Sequence, residues 1–130
     1  MKNLTRFIIE RLKLDRSTKI DNYKYHPKNY DELKDLIKEL LEERGPDADL
    51  NDIDISKITD MAGLFMNLDP HNIDISKWDV SNVENMRYVF YNCKNFNCDL
   101  DEWKVKKVHD MKNMFTGCKS LKNKPSWYKK

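Results

Sequence analysis

The chain has 130 residues, of which 39% are hydrophobic and 35% charged, with only 3 Gly and 4 Pro, so it is too short for two large cores and is not of low complexity. No apolar run approaches the ~20 residues that span a bilayer, and three Cys are too few for a disulfide scaffold, so we expect a soluble, cytoplasmic protein. The formal net charge of +2 is unevenly spread, since residues 46–100 carry 4 basic and 10 acidic side chains whereas residues 101–130 carry 9 basic and 3 acidic ones.

The first 48 residues are predicted to form a helical cap. A helix is expected over residues 3–13, where the three-residue apolar patch is too short for a secretory signal. An extended piece is expected over residues 20–25. Apolar residues at three- and four-residue steps then predict a helix over residues 30–44, which begins after Asn29 and ends at the glycine that follows it.

Residues 49–123 repeat with a period of 25. The columns that share this period include Met61, Met86 and Met111; Phe65, Phe90 and Phe115; and Asp49, Asp74 and Asp99. We call residues 49–73 unit 1, residues 74–98 unit 2 and residues 99–123 unit 3. Self-similarity at a fixed period is typical of proteins whose units bury their apolar faces against one another.

The pattern within each unit changes period, which predicts a short extended stretch followed by a helix of about three turns. In unit 2 the helix is expected over residues 83–93, and Ser81 and Glu84 have the spacing of a capping box. The predicted fold class is therefore α/β, a short leucine-rich-repeat-like solenoid of about three 25-residue units with an N-terminal helical cap. Residues 124–130 are predicted to be a half-repeat or a basic tail, with Tyr128 continuing the tryptophan column.

Residues 78–97 read W-D-V-S-N-V-E-N-M-R-Y-V-F-Y-N-C-K-N-F-N. They resemble the BspA-like leucine-rich-repeat surface-protein family, whose repeats carry W-D-V-S-N-V-x-x-M-x-x-M-F-x-x-C-x-x-F-N, and the resemblance covers residues 49–123. It implies a curved repeat structure that binds proteins, often on bacterial surfaces and host matrix. We expect a short, leaderless member, similar to proteins of phages and other bacterial mobile elements.

The sequence predicts neither an enzyme nor a cofactor or metal site. No nucleophile, nucleotide or zinc-protease motif is present, and His71 and His109 are expected at a half-buried and a solvent-facing position. Cys93 and Cys118 share a column and are expected to form a ladder of buried thiols, with a disulfide as the alternative. The acidic run over residues 47–54 lacks the Gly and Glu of an EF-hand loop, so turn chemistry and solvated charge are expected there. The Asp49, Asp74 and Asp99 column is expected to hydrogen-bond turn N–H groups in each unit.

Protein binding is the expected function. The predicted partner-binding residues are Asp52, Asp54, Lys77, Asp79, Tyr88, Tyr91, Glu102 and Lys104. The two tyrosines replace small or polar residues of the neighbouring units, and tyrosine is frequent at binding hot spots. The concrete hypothesis is a phage or mobile-element protein that binds and inhibits a bacterial effector such as a defence nuclease. Adhesion at a bacterial or host surface is the alternative.

The basic C-terminal end allows two other partners. Lysines mixed with Trp127 and Tyr128 suit phosphate contact and base stacking, although residues 88–130 contain no Arg and the preceding units are acidic. Nucleic acid is therefore the less favoured partner. The same end also allows a dimer, so the chain is predicted to be a monomer or a dimer through its C-terminal end, with no membrane partner.

Overall fold

The computed structural model describes residues 23–128, in which the regular secondary structure is a single helix, α1, Tyr30–Arg44. The predicted helix over residues 3–13, the first half of the extended piece and the last two residues of the tail lie outside the described residues. Strand pairing in the described part is limited to four isolated parallel bridges: Tyr25 to Ile53, Asp49 to Asp74, Asp60 to Asn85, and Asn85 to Asp110. None of the helices described is long and apolar enough to cross a membrane.

The sequence signals at both ends of α1 are confirmed. The Asn29 side chain accepts a hydrogen bond from the Glu32 N–H at 3.0 Å, which satisfies one of the unpaired donors of the first turn. The helix ends at Gly45, whose φ of 91° lies in the left-handed region and whose N–H donates to the Leu41 carbonyl at 2.8 Å. Its buried face consists of Leu33, Leu36, Ile37 and Leu40.

The predicted fold class, an α/β leucine-rich-repeat-like solenoid, is wrong. It requires a strand and a three-turn helix in every unit, whereas the described chain contains one helix, isolated bridges and no sheet. The segments that were expected to be helical are turns, over residues 62–68, 87–92 and 112–117. Ser81 does not cap a helix either, because its N–H and its hydroxyl both donate to the Asp79 carboxylate, at 3.1 and 2.6 Å.

The backbone hydrogen bonds of unit 1 explain why an apolar pattern of helical period forms turns. The N–H groups of Gly63 and Phe65 point out of the unit and donate to carbonyls of unit 2, each at 2.9 Å. The Leu64 N–H, which lies between them, closes a four-residue turn by donating to the Met61 carbonyl at 3.0 Å. Successive turns place apolar side chains three and four residues apart, as a helix does, but Gly63 has a φ of 66° that an α-helix excludes.

The core consists of aromatic rings that stack between units. Phe90 lies between Phe65 and Phe115, with ring centres 5.3 and 5.6 Å apart and planes within 8° of parallel. Trp78 stacks on Trp103 at 6.4 Å. In units 2 and 3 the phenylalanine and tryptophan rings come from two segments of the unit, and the two columns of rings meet in the interior, where Phe65 lies 5.9 Å from Trp78. Such ring pairs contribute about 0.5–1.5 kcal/mol each beyond the area that they bury.

The tryptophan column continues through Trp127, so the prediction that Tyr128 occupies this position is wrong. The Trp127 ring stacks on Trp103 at 6.2 Å, and its indole N–H donates to the Leu100 carbonyl at 2.8 Å, as Trp103 does to Ile75 at 2.9 Å. Tyr128 instead packs edge-on against Phe115 at 5.0 Å. The spacing from Trp103 to its successor in the column is therefore 24 residues instead of 25.

Candidate functional site

The charged residues among the predicted partner-binding residues lie at the surface, but the three aspartates are engaged within the chain. Asp52 pairs with Arg44 at 2.9 Å. Asp54 and Asp79 each accept the N–H two residues further on, at 2.9 and 3.1 Å. Exposed side chains without a described partner occupy the remaining charged positions: Lys77, Glu102 and Lys104.

Hydrogen bonds within the chain engage the aspartates of the first two units and of the segment just before them. Every aspartate of residues 47–79 accepts a hydrogen bond from within the chain: Asp47, Asp49, Asp52, Asp54, Asp60, Asp69, Asp74 and Asp79. The Asp49, Asp74 and Asp99 column holds the N–H two residues on in each unit, as the sequence predicted. The hydrogen bond from the Ser76 hydroxyl is the largest influence that lowers the pKa of Asp74.

Tyr88 and Tyr91 form a cluster on the turns of unit 2. Their rings meet edge-to-face with centres 5.4 Å apart, and both side chains are partly exposed. The Arg87 guanidinium carbon lies 5.4 Å from the centre of the Tyr88 ring, within the range of a cation–π contact. A side-chain hydrogen bond with Asn113, and a second one with Arg87, lower the pKa of the Tyr88 hydroxyl. We call these four residues, Arg87, Tyr88, Tyr91 and Asn113, the tyrosine cluster.

The backbone of Tyr88 adopts a conformation that bulky residues rarely take. Its φ is 59°, in the left-handed region, where the equivalent residues are Gly63 at 66° and Asn113 at 56°. Glycine has no Cβ and asparagine tolerates this region, whereas another L-residue is destabilised there by roughly 1–2 kcal/mol. The large ring of Tyr88 is therefore held in place at a cost to stability, and strain of this kind clusters at functional sites.

Two members of the tyrosine cluster, Arg87 and Asn113, were not predicted as site residues. Gly63 and Asn113 share the column of Tyr88, and two residues of this kind indicate a left-handed backbone position. That signal identifies Tyr88 as an exception, but it does not reveal that Arg87 lies over its ring. Of the eight predicted residues, the structure brings Tyr88 and Tyr91 into contact.

The thiols of Cys93 and Cys118 are free and form a ladder of their own. Each sulfur donates to a carbonyl 28 residues earlier, Cys93 to Phe65 at 3.3 Å and Cys118 to Phe90 at 3.0 Å. Desolvation by burial raises the pKa of Cys93 to about 12 and that of Cys118 to about 11, so both thiols are protonated near neutral pH. The expected buried ladder is confirmed for Cys93, whereas Cys118 is partly exposed.

The histidines lie where the sequence placed them. The side chain of His71 is 36% exposed and contacts Asp69 at 3.3 Å, whereas that of His109 is 69% exposed and lies 3.9 Å from Glu84. Within residues 23–128, no three His, Cys, Asp or Glu side chains are grouped so that they could hold a metal ion.

One comparison with known proteins finds a relationship. A family model described as "Mycoplasma protein of unknown function, DUF285" matches residues 33–130. No curated protein and no solved structure shows a match to the chain.

Proposed function

The chain belongs to the DUF285 family, and we propose that it is a non-catalytic module that binds a protein partner through the tyrosine cluster. The observation that carries the proposal is the left-handed backbone of Tyr88. A residue selected for stability at position 88 would be Gly or Asn, as at the equivalent positions of units 1 and 3, so the tyrosine serves another purpose. The resemblance of the repeats to BspA-like surface proteins, which bind proteins, agrees with this role.

The chemistry of the cluster suits a protein interface. Tyrosine and arginine are the residue types enriched at binding hot spots, because they combine a large apolar surface with hydrogen-bonding groups. The Tyr88 and Tyr91 rings contact each other with centres 5.4 Å apart, and Phe90, which lies between them in sequence, is buried in the phenylalanine stack. A preformed surface of this kind loses little side-chain entropy when a partner binds.

Inhibition of a nuclease, the finer form of the hypothesis, receives no support from the acidic units. Their aspartates accept hydrogen bonds from turn N–H groups and from Arg44, so the carboxylates are committed to the fold. An acidic surface that occupies a basic groove needs carboxylates that are free to turn toward it. The tyrosine cluster, by contrast, suggests a partner with an apolar and hydrogen-bonding surface.

The test exchanges residues between units. The double variant Tyr88→Asn/Tyr91→Thr gives unit 2 the residues that unit 3 carries at the same positions. The matched control, Gly63→Asn/Met66→Thr, makes the same replacement in unit 1. We expect the unit 2 variant to weaken the affinity of a partner that is cross-linked to the full chain and identified by mass spectrometry, by about tenfold or more.

Thermal and urea unfolding of the same variants separates function from structure. Relief of strain and loss of the ring contacts are of similar size, so the unit 2 variant is expected to stay within about 1 kcal/mol of the parent. The control should keep both affinity and stability. Unchanged partner affinity in the unit 2 variant, or a loss of stability above about 3 kcal/mol, would show that the tyrosines are structural and reject the proposal.

A further inference from the structure

Peptide groups line up across the three units in hydrogen-bonded columns. In one column the Met61 N–H donates to the Asn85 carbonyl at 2.9 Å, and the N–H of the same peptide group, on Met86, donates to Asp110 at 2.8 Å. Two further columns run from Gly63 through Arg87 and Tyr88 to Lys112, and from Phe65 through Val89 and Phe90 to Met114. A fourth joins Asn92 to Thr116 at 2.7 Å. Because every N–H in these columns points toward unit 3, the peptide dipoles add, as they do in a helix.

At the carbonyl end, the column that begins at the Phe65 N–H is paired with a charge. The Lys34 ammonium group of α1 donates to the Leu64 carbonyl at 2.6 Å and to the Gly63 carbonyl at 3.2 Å. It is partly buried there, and desolvation lowers its pKa. A cation at the negative end of aligned dipoles is the stabilising arrangement.

The N–H end of the columns is open. In the part of the chain that the structure describes, four backbone N–H groups have no hydrogen-bond acceptor, although their counterparts in unit 2 all have one: Met111, Asn113, Phe115 and Gly117. We call residues 105–117 the C-terminal edge. Four aligned donors at the positive end of the columns attract groups that carry negative charge.

The side chains of the C-terminal edge form an uncovered apolar face beside positive charge, which suits an acidic partner. Val105, Val108 and Met111 are partly exposed, whereas the side chains 25 residues before them are at most 1% exposed. A groove of about 350 Å³ runs along the edge between His109 and Tyr128. Residues 103–128 carry seven lysines and a single acidic residue, Asp110.

We propose that the C-terminal edge binds an extended, acidic segment of a partner protein, an inference that rests on the proposed function and adds the chemistry of the partner. Backbone carbonyls of the segment accept from the four free N–H groups, as carbonyls of each following unit do within the chain. Its apolar side chains cover Val105, Val108 and Met111, and its carboxylates lie among the lysines.

Other occupants satisfy fewer of these groups. A second copy of the chain, edge against edge, would set lysines against lysines. A nucleic acid would match the lysines, but its phosphates offer no apolar counterpart to Val105 and Val108. An acidic polypeptide supplies acceptors, negative charge and apolar side chains together.

The test uses a fluorescein-labelled peptide of eight alternating Glu and Val residues, with both ends blocked, and the full chain. We expect the peptide to slow hydrogen exchange of the Met111, Asn113, Phe115 and Gly117 amides by about tenfold or more. The variant Lys112→Glu/Lys119→Glu should weaken peptide affinity by about tenfold. The control Lys38→Glu/Lys57→Glu has the same net charge and alters exposed lysines of α1 and unit 1, so its affinity should stay within about twofold.

Three results would overturn the assignment: peptide binding that leaves these amides unprotected, stronger protection by an eight-residue oligothymidine, or protection that rises with protein concentration alone. Binding without protection would place the peptide at another site. Stronger protection by the oligothymidine would assign the edge to nucleic acid, and protection that depends on protein concentration would assign it to a second copy of the chain. The proposed function is judged separately. Loss of the cross-linked partner in the Tyr88→Asn/Tyr91→Thr variant, with the edge amides unprotected, would keep the tyrosine cluster and reject the edge.

Discussion

Left-handed backbone positions recur at equivalent places in successive units and restrict which residues can occupy them. One column holds Asn67, Asn92 and Gly117, with φ values of 70°, 57° and 82°. Asparagine tolerates this region because its short side chain forms local hydrogen bonds, and glycine has no Cβ to clash. At Gly117 a second restriction applies, since an added Cβ would lie 2.3 Å from the Asn92 side-chain oxygen and 3.0 Å from its Cα.

The two restrictions on Gly117 are separated by one pair of substitutions. Gly117→Asn satisfies the backbone angle but forces the new Cβ against Asn92, so we expect the free energy of unfolding to fall by about 1–3 kcal/mol. Gly63→Asn meets only the Met66 methyl at 3.5 Å and should stay within about 0.5 kcal/mol of the parent. Urea unfolding of both variants measures the difference, and equal stabilities would show that the approach of Asn92 to Gly117 does not restrict the site.

At the scale of the element, the sequence predicts the one helix well and the units poorly. α1 carries its own signals, an N-cap side chain at Asn29 and a stop at Gly45, and both act through neighbouring residues. The turns of unit 2 are fixed instead by bonds to residues 24 positions away, as Phe90 donates to Met114. A period of three and four residues is common to a helix and to successive turns, so the pattern alone does not distinguish them.

In the candidate site, too, the features that depend on neighbouring residues were predicted from the sequence, and those that depend on distant residues were not. The turn roles of Asp49 and Asp74 follow from the preference of aspartate for the N–H two residues on, and the sequence predicted them. The contact of Arg87 with the Tyr88 ring depends on the left-handed φ of Tyr88, which turns its side chain in a direction that local propensity does not favour. The open N–H end at Met111 depends on the hydrogen bonds of the other two units.

Lys34 joins α1 to the units, and its removal tests whether that junction stabilises the molecule. In Lys34→Met the alkyl chain is retained, but the Leu64 carbonyl loses its donor, whereas the Gly63 carbonyl keeps the Met66 N–H at 3.1 Å. We expect the free energy of unfolding to fall by about 1–3 kcal/mol, the usual cost of leaving a partly buried acceptor unpaired.

The matched control for this variant is Lys38→Met, at an exposed position of the same helix. This variant makes the same chemical change but leaves no carbonyl without its donor, so its free energy of unfolding should stay within about 0.5 kcal/mol of the parent. Thermal unfolding of the two variants side by side compares them. If Lys34→Met were as stable as Lys38→Met, the hydrogen bond from the Lys34 ammonium group to the Leu64 carbonyl would not stabilise the molecule.

At the scale of the whole molecule, positive charge collects at the N–H end of the four columns, although other backbone bonds, such as that from His109 N–H to the Glu84 carbonyl at 2.9 Å, run the opposite way. The lysine-rich residues 101–128 lie at this end, and the acidic residues of units 1 and 2 precede them. Lysines at a positive end are not explained by stability, since opposite charges are the favourable neighbours of an uncompensated dipole. The excess of positive charge at one end therefore favours an anionic partner over a purely structural role.

The columns predict a gradient of amide protection along the free chain. The Met86 and Tyr88 amides donate to unit 3, whereas the equivalent Met111 and Asn113 amides have no acceptor among the described residues. An amide without an acceptor exchanges without any opening of the structure, while a paired one must first break its hydrogen bond. We therefore expect Met86 and Tyr88 to exchange about 100-fold more slowly than Met111 and Asn113, as measured by NMR at low protein concentration. Equal protection in both units would mean that another group already covers the N–H end, and would leave the C-terminal edge no donors to offer a partner.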